Sequence, residues 1–380
     1  MNFGDGADAV RFNSPIRISR RLFLASLATA YAAESGGRGT VLRTVAARYF
    51  DPATESVVLR LTDPDIPASL PVIGNRCASG KGFLYGLSVG GTWQAYWMDL
   101  KKRDSRQLTE ATALNPQSLA LGPGDKVFWY VDGAQVLESA PINFKKTREV
   151  YRAADGWEID SPPVFSEDGT RGALIEKGSK GYRLRVLDVA RGSAVTVVEG
   201  PARISDPLPR PRGSSLIYRE KSSLRMVDFD GRNARVPTVA EGEVLDARWS
   251  ANGSSLLYLN RPADPRQLTK LREWNPETGK DTLIANTTQY VRFTANADAT
   301  VFAGASGSKA SPYLLLLLRS GGRELTLAEH RAGDPQLAAP VFSPNSQYML
   351  FQSDRHGKPA IYWLDLEKLV SETNAGELSR

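Results

Sequence analysis

Pro340-Val341-Phe342-Ser343-Pro344-Asn345-Ser346, then Tyr348-Met349-Leu350-Phe351-Gln352-Ser353-Asp354, then Ala360-Ile361-Tyr362-Trp363-Leu364-Asp365-Leu366 is the stretch that decides the fold. Short runs rich in aromatic and branched residues alternate with polar turn residues, which reads as strand, turn, strand, turn, strand. The same order recurs at Pro163-Val164-Phe165-Ser166-Glu167-Asp168-Gly169 with Leu184-Arg185-Val186-Leu187-Asp188, and at Ala247-Arg248-Trp249-Ser250-Ala251-Asn252-Gly253 with Leu256-Leu257-Tyr258-Leu259. Weaker copies start near Ala68, Pro116, Ile204 and Gln289, making seven units with a spacing of roughly 40 to 50 residues, the range of propeller blades. Asp-Gly and Asn-Gly pairs fall where antiparallel strands must reverse, because Gly and Asn accept positive φ. Later in each unit a second turn, such as Asp230-Gly231 or Glu277-Thr278-Gly279, is expected to lead into a closing strand such as Arg106-Gln107-Leu108-Thr109.

The last unit stops after three strands, and a spare strand, Ser56-Val57-Val58-Leu59-Arg60-Leu61-Thr62, precedes the first. The expected fold is therefore all-β: a seven-bladed β-propeller over residues 40–370, with the N-terminal strand joining the last blade, followed by a tail at 371–380. Helical repeats are excluded by the lack of helical periodicity away from the termini.

Working outward, Ser19-Arg20-Arg21-Leu22-Phe23-Leu24 has the form of a twin-arginine export signal, followed by an apolar stretch from Leu22 to Ala33 that is too short to span a bilayer. Ala30-Tyr31-Ala32 supplies the small-x-small pattern of a cleavage site, so residues 1–33 are expected to be removed and the mature chain to act in the periplasm or outside the cell. Leu314 to Leu318 is five residues long and reads as a buried strand, so no stable membrane span is expected.

The 380 residues are 41% hydrophobic and 24% charged, enough to bury a core. The net charge of +6 comes from basic residues scattered along the chain, without the stripe or motif that nucleic-acid binding requires. The single cysteine, Cys77, excludes an intrachain disulfide and a cysteine-based zinc site. The only histidines are His330 and His356, which this register places in outer or turn positions as satisfied or solvated surface side chains.

The repeat P-x-F-S-P-[DN]-x resembles the TolB-like, WD40-like propeller repeat. A nearer resemblance, over about Arg48 to Leu369, is to the oligogalacturonate lyases. It is carried by Arg60-Leu61-Thr62-Asp63-Pro64-Asp65, Arg225-Met226, Trp274-Asn275-Pro276-Glu277-Thr278 and Pro359-Ala360-Ile361-Tyr362. That resemblance implies a seven-bladed propeller that cleaves short pectin oligomers by β-elimination. A cation near the uronate carboxylate acidifies the C5 proton, and a base removes it. It also implies a divalent metal, usually manganese, held largely by histidines with the hallmark H-P-H-P-x-F-[ST]-P. Here the matching stretch is Leu337-Ala338-Ala339-Pro340-Val341-Phe342-Ser343-Pro344, apolar at both histidine positions. The preceding blade's histidine position falls at Gln289. That of the blade before, where the family has a candidate base, falls at Ala247. Other inner-strand histidine positions fall at Ser69, Asp206 and Arg219. The expectation is a propeller without the family's manganese and with no other cofactor.

One basic position that matches the family pattern remains, Arg225, with Arg219 and Glu220 in the same blade. Arg225 is the candidate catalytic or uronate-binding residue, since a guanidinium grips a carboxylate through paired hydrogen bonds; the competing reading is an inter-blade ion pair. Asp206, Asp246 and Gln289 join Arg219 and Glu220 as candidate ligand-binding residues. Gly86-Leu87-Ser88-Val89-Gly90 matches G-x-S-x-G, but a nucleophile elbow needs a strand-to-helix corner, and here a second strand runs into a loop. Trp93, Tyr96, Trp97, Trp129, Tyr130, Trp157 and Trp249 are candidates to stack on sugars or to pack between blades. The leading reading is an exported propeller that has lost metal-dependent elimination and binds an oligosaccharide, an acidic one or another small extracellular ligand, at its central channel. The alternatives are a lyase working through Arg225 and a non-histidine base, and a TolB-like platform for a periplasmic protein.

Overall fold

The computed structural model describes residues 36–44, 46–72, 74–141 and 146–366; the expected export signal at 1–33 and the expected tail at 371–380 lie outside the described residues. The described residues form seven antiparallel sheets arranged as the blades of a ring, with three short 3-10 turns among them. Taking the blades in chain order, the innermost strands are Ala68–Ser69, Leu114–Leu121, Val164–Phe165, Ile204–Pro209, Glu243–Trp249, Tyr290–Ala295 and Val341–Phe342.

The turn from first to second strand repeats the same chemistry from blade to blade. Ser166, Ser250 and Ser343 each donate a side-chain hydrogen bond to Asp168, Asn252 and Asn345, at 2.6, 2.9 and 2.8 Å. The next residue has positive φ: Gly169 at 68°, Gly253 at 69° and Ser346 at 58°. At Gly253 the glycine is also needed for room, because a Cβ would lie 2.0 Å from the Pro211 carbonyl oxygen of the neighbouring blade.

Apolar residues gather between blades. Leu314, Leu316, Met349, Phe351, Tyr362 and Val58 form one cluster across blades 6 and 7, and Trp129 stacks on Phe165 across blades 2 and 3 at 4.4 Å. Each fully buried leucine or phenylalanine contributes about 1.5–3 kcal/mol, so every blade is stabilised by its two neighbours.

Ring closure follows the expected scheme and exceeds it. Val57–Arg60 pairs with Ala360–Asp365, and Ala47–Phe50 pairs on the outside, making the last blade five-stranded. Val41–Arg43 adds a fifth strand to the first blade. Tyr348 Oη donates to the Ser79 carbonyl at 2.7 Å, and the Leu70 N–H donates to Gln352 Oε1 at 2.9 Å, tying last blade to first.

The fourth blade departs from expectation. After Asp230-Gly231 there is no closing strand among the described residues, only a single bridge between Met226 and Arg235. Pro237 follows two residues on, and with no N–H it cannot donate to the next rung.

Asp51 fastens the N-terminal strands. Its carboxylate is 1% exposed; it accepts from the N–H groups of Ala53 at 3.1 Å and Glu329 at 2.9 Å, with Arg355 Nη1 at 3.8 Å. Asp51→Ala strands these donors, so we expect a loss of about 3 kcal/mol, read as a lower urea midpoint. Asp264→Ala, in a pair with the solvent-exposed Arg266, should change the unfolding free energy by less than about 0.5 kcal/mol, leaving the urea midpoint nearly unmoved.

Candidate functional site

The inner strands are irregular where they approach the channel. Register shifts interrupt the pairing between Ser205 and Leu208, between Val244 and Asp246, and between Tyr290 and Arg292. An extra residue in a strand re-aims the side chains beside it, and bulges therefore mark places where a sheet opens towards a site. A cavity of about 100 Å³ lies at these bulges, walled by Asp206, Arg219, Asp246, Ala247 and Arg292 with apolar Leu208, Leu224 and Leu245.

Charge in this wall is organised around Asp246. Its side chain is 6% exposed; Oδ1 faces Arg292 Nη1 at 3.2 Å and accepts from the Ala247 N–H at 3.1 Å, while Oδ2 faces Arg248 Nη2 at 3.3 Å and accepts from the Phe293 N–H at 3.1 Å. Arg248 lies behind the wall with its guanidinium carbon 4.4 Å from the centre of the Phe293 ring. Burial lowers its pKa to about 10, with Asp246 opposing and Arg292 adding to the shift, so it stays protonated at neutral pH. Arg219 Nε donates to Asp206 Oδ2 at 3.0 Å and its Nη1 to the Val244 carbonyl at 2.8 Å, bridging blades 4 and 5.

Of the six residues singled out from sequence, Asp206, Arg219 and Asp246 come together in this cavity. Arg219 does so from the second strand of its blade, Ser215–Glu220, rather than from an inner strand. Gln289 sits just before the inner strand of blade 6, exposed and at φ 53°. Arg225 is on the third strand, Ser223–Asp228, outside the cavity wall, and pairs with Glu220 at 3.0 Å. This ion pair lies within one blade, where an inter-blade pair was the competing expectation. It forms because the short turn at Lys221 and Ser222 brings the two side chains across a hairpin.

His330 is not on the surface: it is fully buried where the chain passes from blade 6 to blade 7. Its Nε2 lies 2.9 Å from the Ser306 carbonyl and its Nδ1 accepts from the Ala332 N–H at 3.0 Å. The polar contacts available at both ring nitrogens explain why burial is tolerated. His356 is exposed in a turn, with Nδ1 2.8 Å from Tyr362 Oη. Ser88 lies in a strand that turns through Gly90 and Gly91 into another strand, without the helix a nucleophile elbow needs. Tyr96, Trp129 and Tyr130 are buried in blade packing, and Trp249 Nε1 donates to the Leu208 carbonyl at 3.0 Å. Arg292 and Arg248 were not anticipated; their only sequence signal was a basic residue within each inner strand, Arg292 near the start of Tyr290–Ala295 and Arg248 near the end of Glu243–Trp249, without meaning until the bulges set its direction.

A closed ring of seven blades with a charged cavity at its inner strands defines a β-propeller. The chain belongs to the oligogalacturonate lyase family, whose model matches residues 37–370. It is 26% identical to the oligogalacturonide lyase of Pectobacterium atrosepticum over 367 residues, covering 83% of this chain and 94% of that protein. It is likewise 26% identical to the oligogalacturonate lyase of Dickeya dadantii over 369 residues, with the same coverage. A solved oligogalacturonate lyase in complex with manganese shares the fold at TM-score 0.81, 23% identity, and 87% and 98% coverage of the two chains.

The donors present do not fit a manganese site. Among the described residues no three His, Cys, Asp or Glu side chains converge. Both oxygens of Asp246 face arginines, Asp206 is paired with Arg219, and His330 is held between backbone groups. A divalent ion would be placed beside guanidinium charges, where it is repelled.

Burial holds the His330 pKa below its ordinary value, against the opposing contact with Ser306, and burial also lowers that of His356. Both imidazoles are therefore harder to protonate folded than unfolded. Their contribution to stability is complete above about pH 6.5 and is lost as pH falls through the lowered folded values. We expect the thermal midpoint to fall in that window, and His330→Asn, which keeps an acceptor for Ala332, to flatten the fall. An unchanged slope in the variant would show that His330 does not titrate there.

Proposed function

We propose that this chain is an exported propeller of the oligogalacturonate lyase lineage that no longer performs metal-dependent elimination and instead binds an acidic oligosaccharide at its central channel. The observation that supports the reading is the cavity at the inner-strand bulges, which Arg219 and Arg292 line and where, among the described residues, no cluster of metal-ligating side chains converges. A cation beside a uronate carboxylate serves binding and elimination alike, but elimination also needs a base next to the C5 proton. Ala247 provides none, and Asp206 and Asp246 are engaged by arginines. Family membership supports a pectin-derived ligand. The twin-arginine motif at Ser19 to Leu24 supports action in the periplasm or beyond it.

The test is calorimetry with oligogalacturonides, alongside the ultraviolet absorbance of an unsaturated product. The expected outcome is heat of binding with no rise in absorbance. A rise that disappears in Arg225→Ala would establish a working lyase. No heat, together with co-purification of a periplasmic protein, would establish a docking platform.

A further inference from the structure

Three guanidinium groups, Arg219 and Arg292 in the cavity wall and Arg248 outside it, face two carboxylates, Asp206 and Asp246. Asp206 is 61% exposed and neutralises Arg219 near solvent, whereas Asp246 is buried and shared by two arginines. The charges that line the cavity, two arginines and two aspartates, balance. The surplus of one positive charge belongs to the network that includes Arg248, and because Asp246 is shared with Arg248 it leaves Arg292 incompletely neutralised at a partly desolvated place, an arrangement that a single anion would complete.

The surplus is directed. Arg248 is packed on Phe293 behind the wall, so the cations that line the cavity are Arg219, paired with Asp206, and Arg292, which is 33% exposed. Among the described residues Asp246 is its polar partner, through Nη1 alone, leaving Nε and Nη2 for a ligand. Arg219 has Nε and Nη1 engaged and offers Nη2. A volume of about 100 Å³ is that of a few waters, sized for a carboxylate and the edge of the ring that bears it, not for a whole sugar chain.

We propose that Arg292, aimed by Asp246, is the carboxylate anchor of this protein, so that a built-in guanidinium supplies the positive charge at the channel and uronate binding needs no metal. Arg292 takes the carboxylate side-on through two parallel N–H donors, Arg219 contributes a third, and Asp246 is a positioning residue that fixes the Arg292 guanidinium without touching the ligand. The anchor rests on the acidic-oligosaccharide reading above and names the residue and the ionic form that reading requires.

The experiment is titration of the protein with trigalacturonate and with its fully methyl-esterified counterpart, each with and without a chelator, for the unaltered chain, Arg292→Gln and Arg292→Lys. The unaltered chain should bind the acid and not the ester, with chelator changing Kd less than twofold and added salt weakening binding. Arg292→Gln should weaken it about 10- to 100-fold, the range expected for charge-assisted hydrogen bonds to a carboxylate, and Arg292→Lys by less. Circular dichroism and the thermal midpoint check that the variants fold. Binding of trigalacturonate that survives Arg292→Gln in a folded variant overturns the anchor and leaves the oligosaccharide reading standing. Binding by the unaltered chain that chelator abolishes and manganese restores overturns the metal-free claim. If Arg292→Gln fails to fold, equal affinity for acid and ester in the unaltered chain overturns the proposal. No binding of either compound by the unaltered chain removes the oligosaccharide reading itself.

Discussion

The pairing of Val57–Arg60 with Ala360–Asp365 is the constraint on which the rest of the molecule depends. A blade buries apolar surface on both faces, so a ring left open would expose two such faces and two sheet edges. Closing it with strands from opposite ends of the chain makes the outer part of the last blade and its inner part sequence-distant neighbours. Asp51, buried against Glu329 and close to Arg355, and Thr54, whose Oγ1 donates to the Leu327 carbonyl at 2.9 Å, extend that closure to the sixth blade.

A closed ring fixes the distances among its inner strands, and that rigidity permits a charged cavity. Asp246 on blade 5 holds Arg292 on blade 6 and Arg248 on its own strand, while Arg219 on blade 4 reaches the Val244 carbonyl of blade 5. Such a network is costly to desolvate and is tolerable where packed neighbours keep each hydrogen bond in place. The bulges place these residues at the channel, and apolar clusters behind them, such as Leu257, Phe293, Phe302 and Leu317 between blades 5 and 6, hold the strands against movement.

Membership in the oligogalacturonate lyase family and the charges in this cavity bear on different questions. The first concerns ancestry and fold; the second concerns which chemistry the site can support. A cavity that presents arginines recognises a carboxylate directly, whereas metal-assisted elimination depends on a ligand cluster and a free base. Under the proposed anchor the positive charge resides on the polypeptide itself, fixed by Asp246, and not on an exchangeable ion.

The seven-fold repeat, the turn residues at Ser166, Ser250 and Ser343, and the sharing of the last blade were legible because they follow from local rules: strand alternation, side-chain hydrogen bonds within a turn, and the count of strands per unit. The absent closing strand of blade 4 was less legible, since Asp230-Gly231 announces a turn as clearly as any other and only Pro237 hints that the ladder stops. The burial of His330 was hidden because it depends on how two blades meet. In the cavity, sequence pointed to Asp206, Arg219 and Asp246 but not to Arg292, and it brought forward Arg225, which the hairpin directs towards Glu220. Sequence by itself determined the repeating unit, the way the ring closes and the supply of charged residues on the inner strands and beside them. Tertiary structure alone decided which of those charges face one another, because a single-residue bulge reverses the direction of a strand's side chains and leaves no mark in the pattern from which the strand is read.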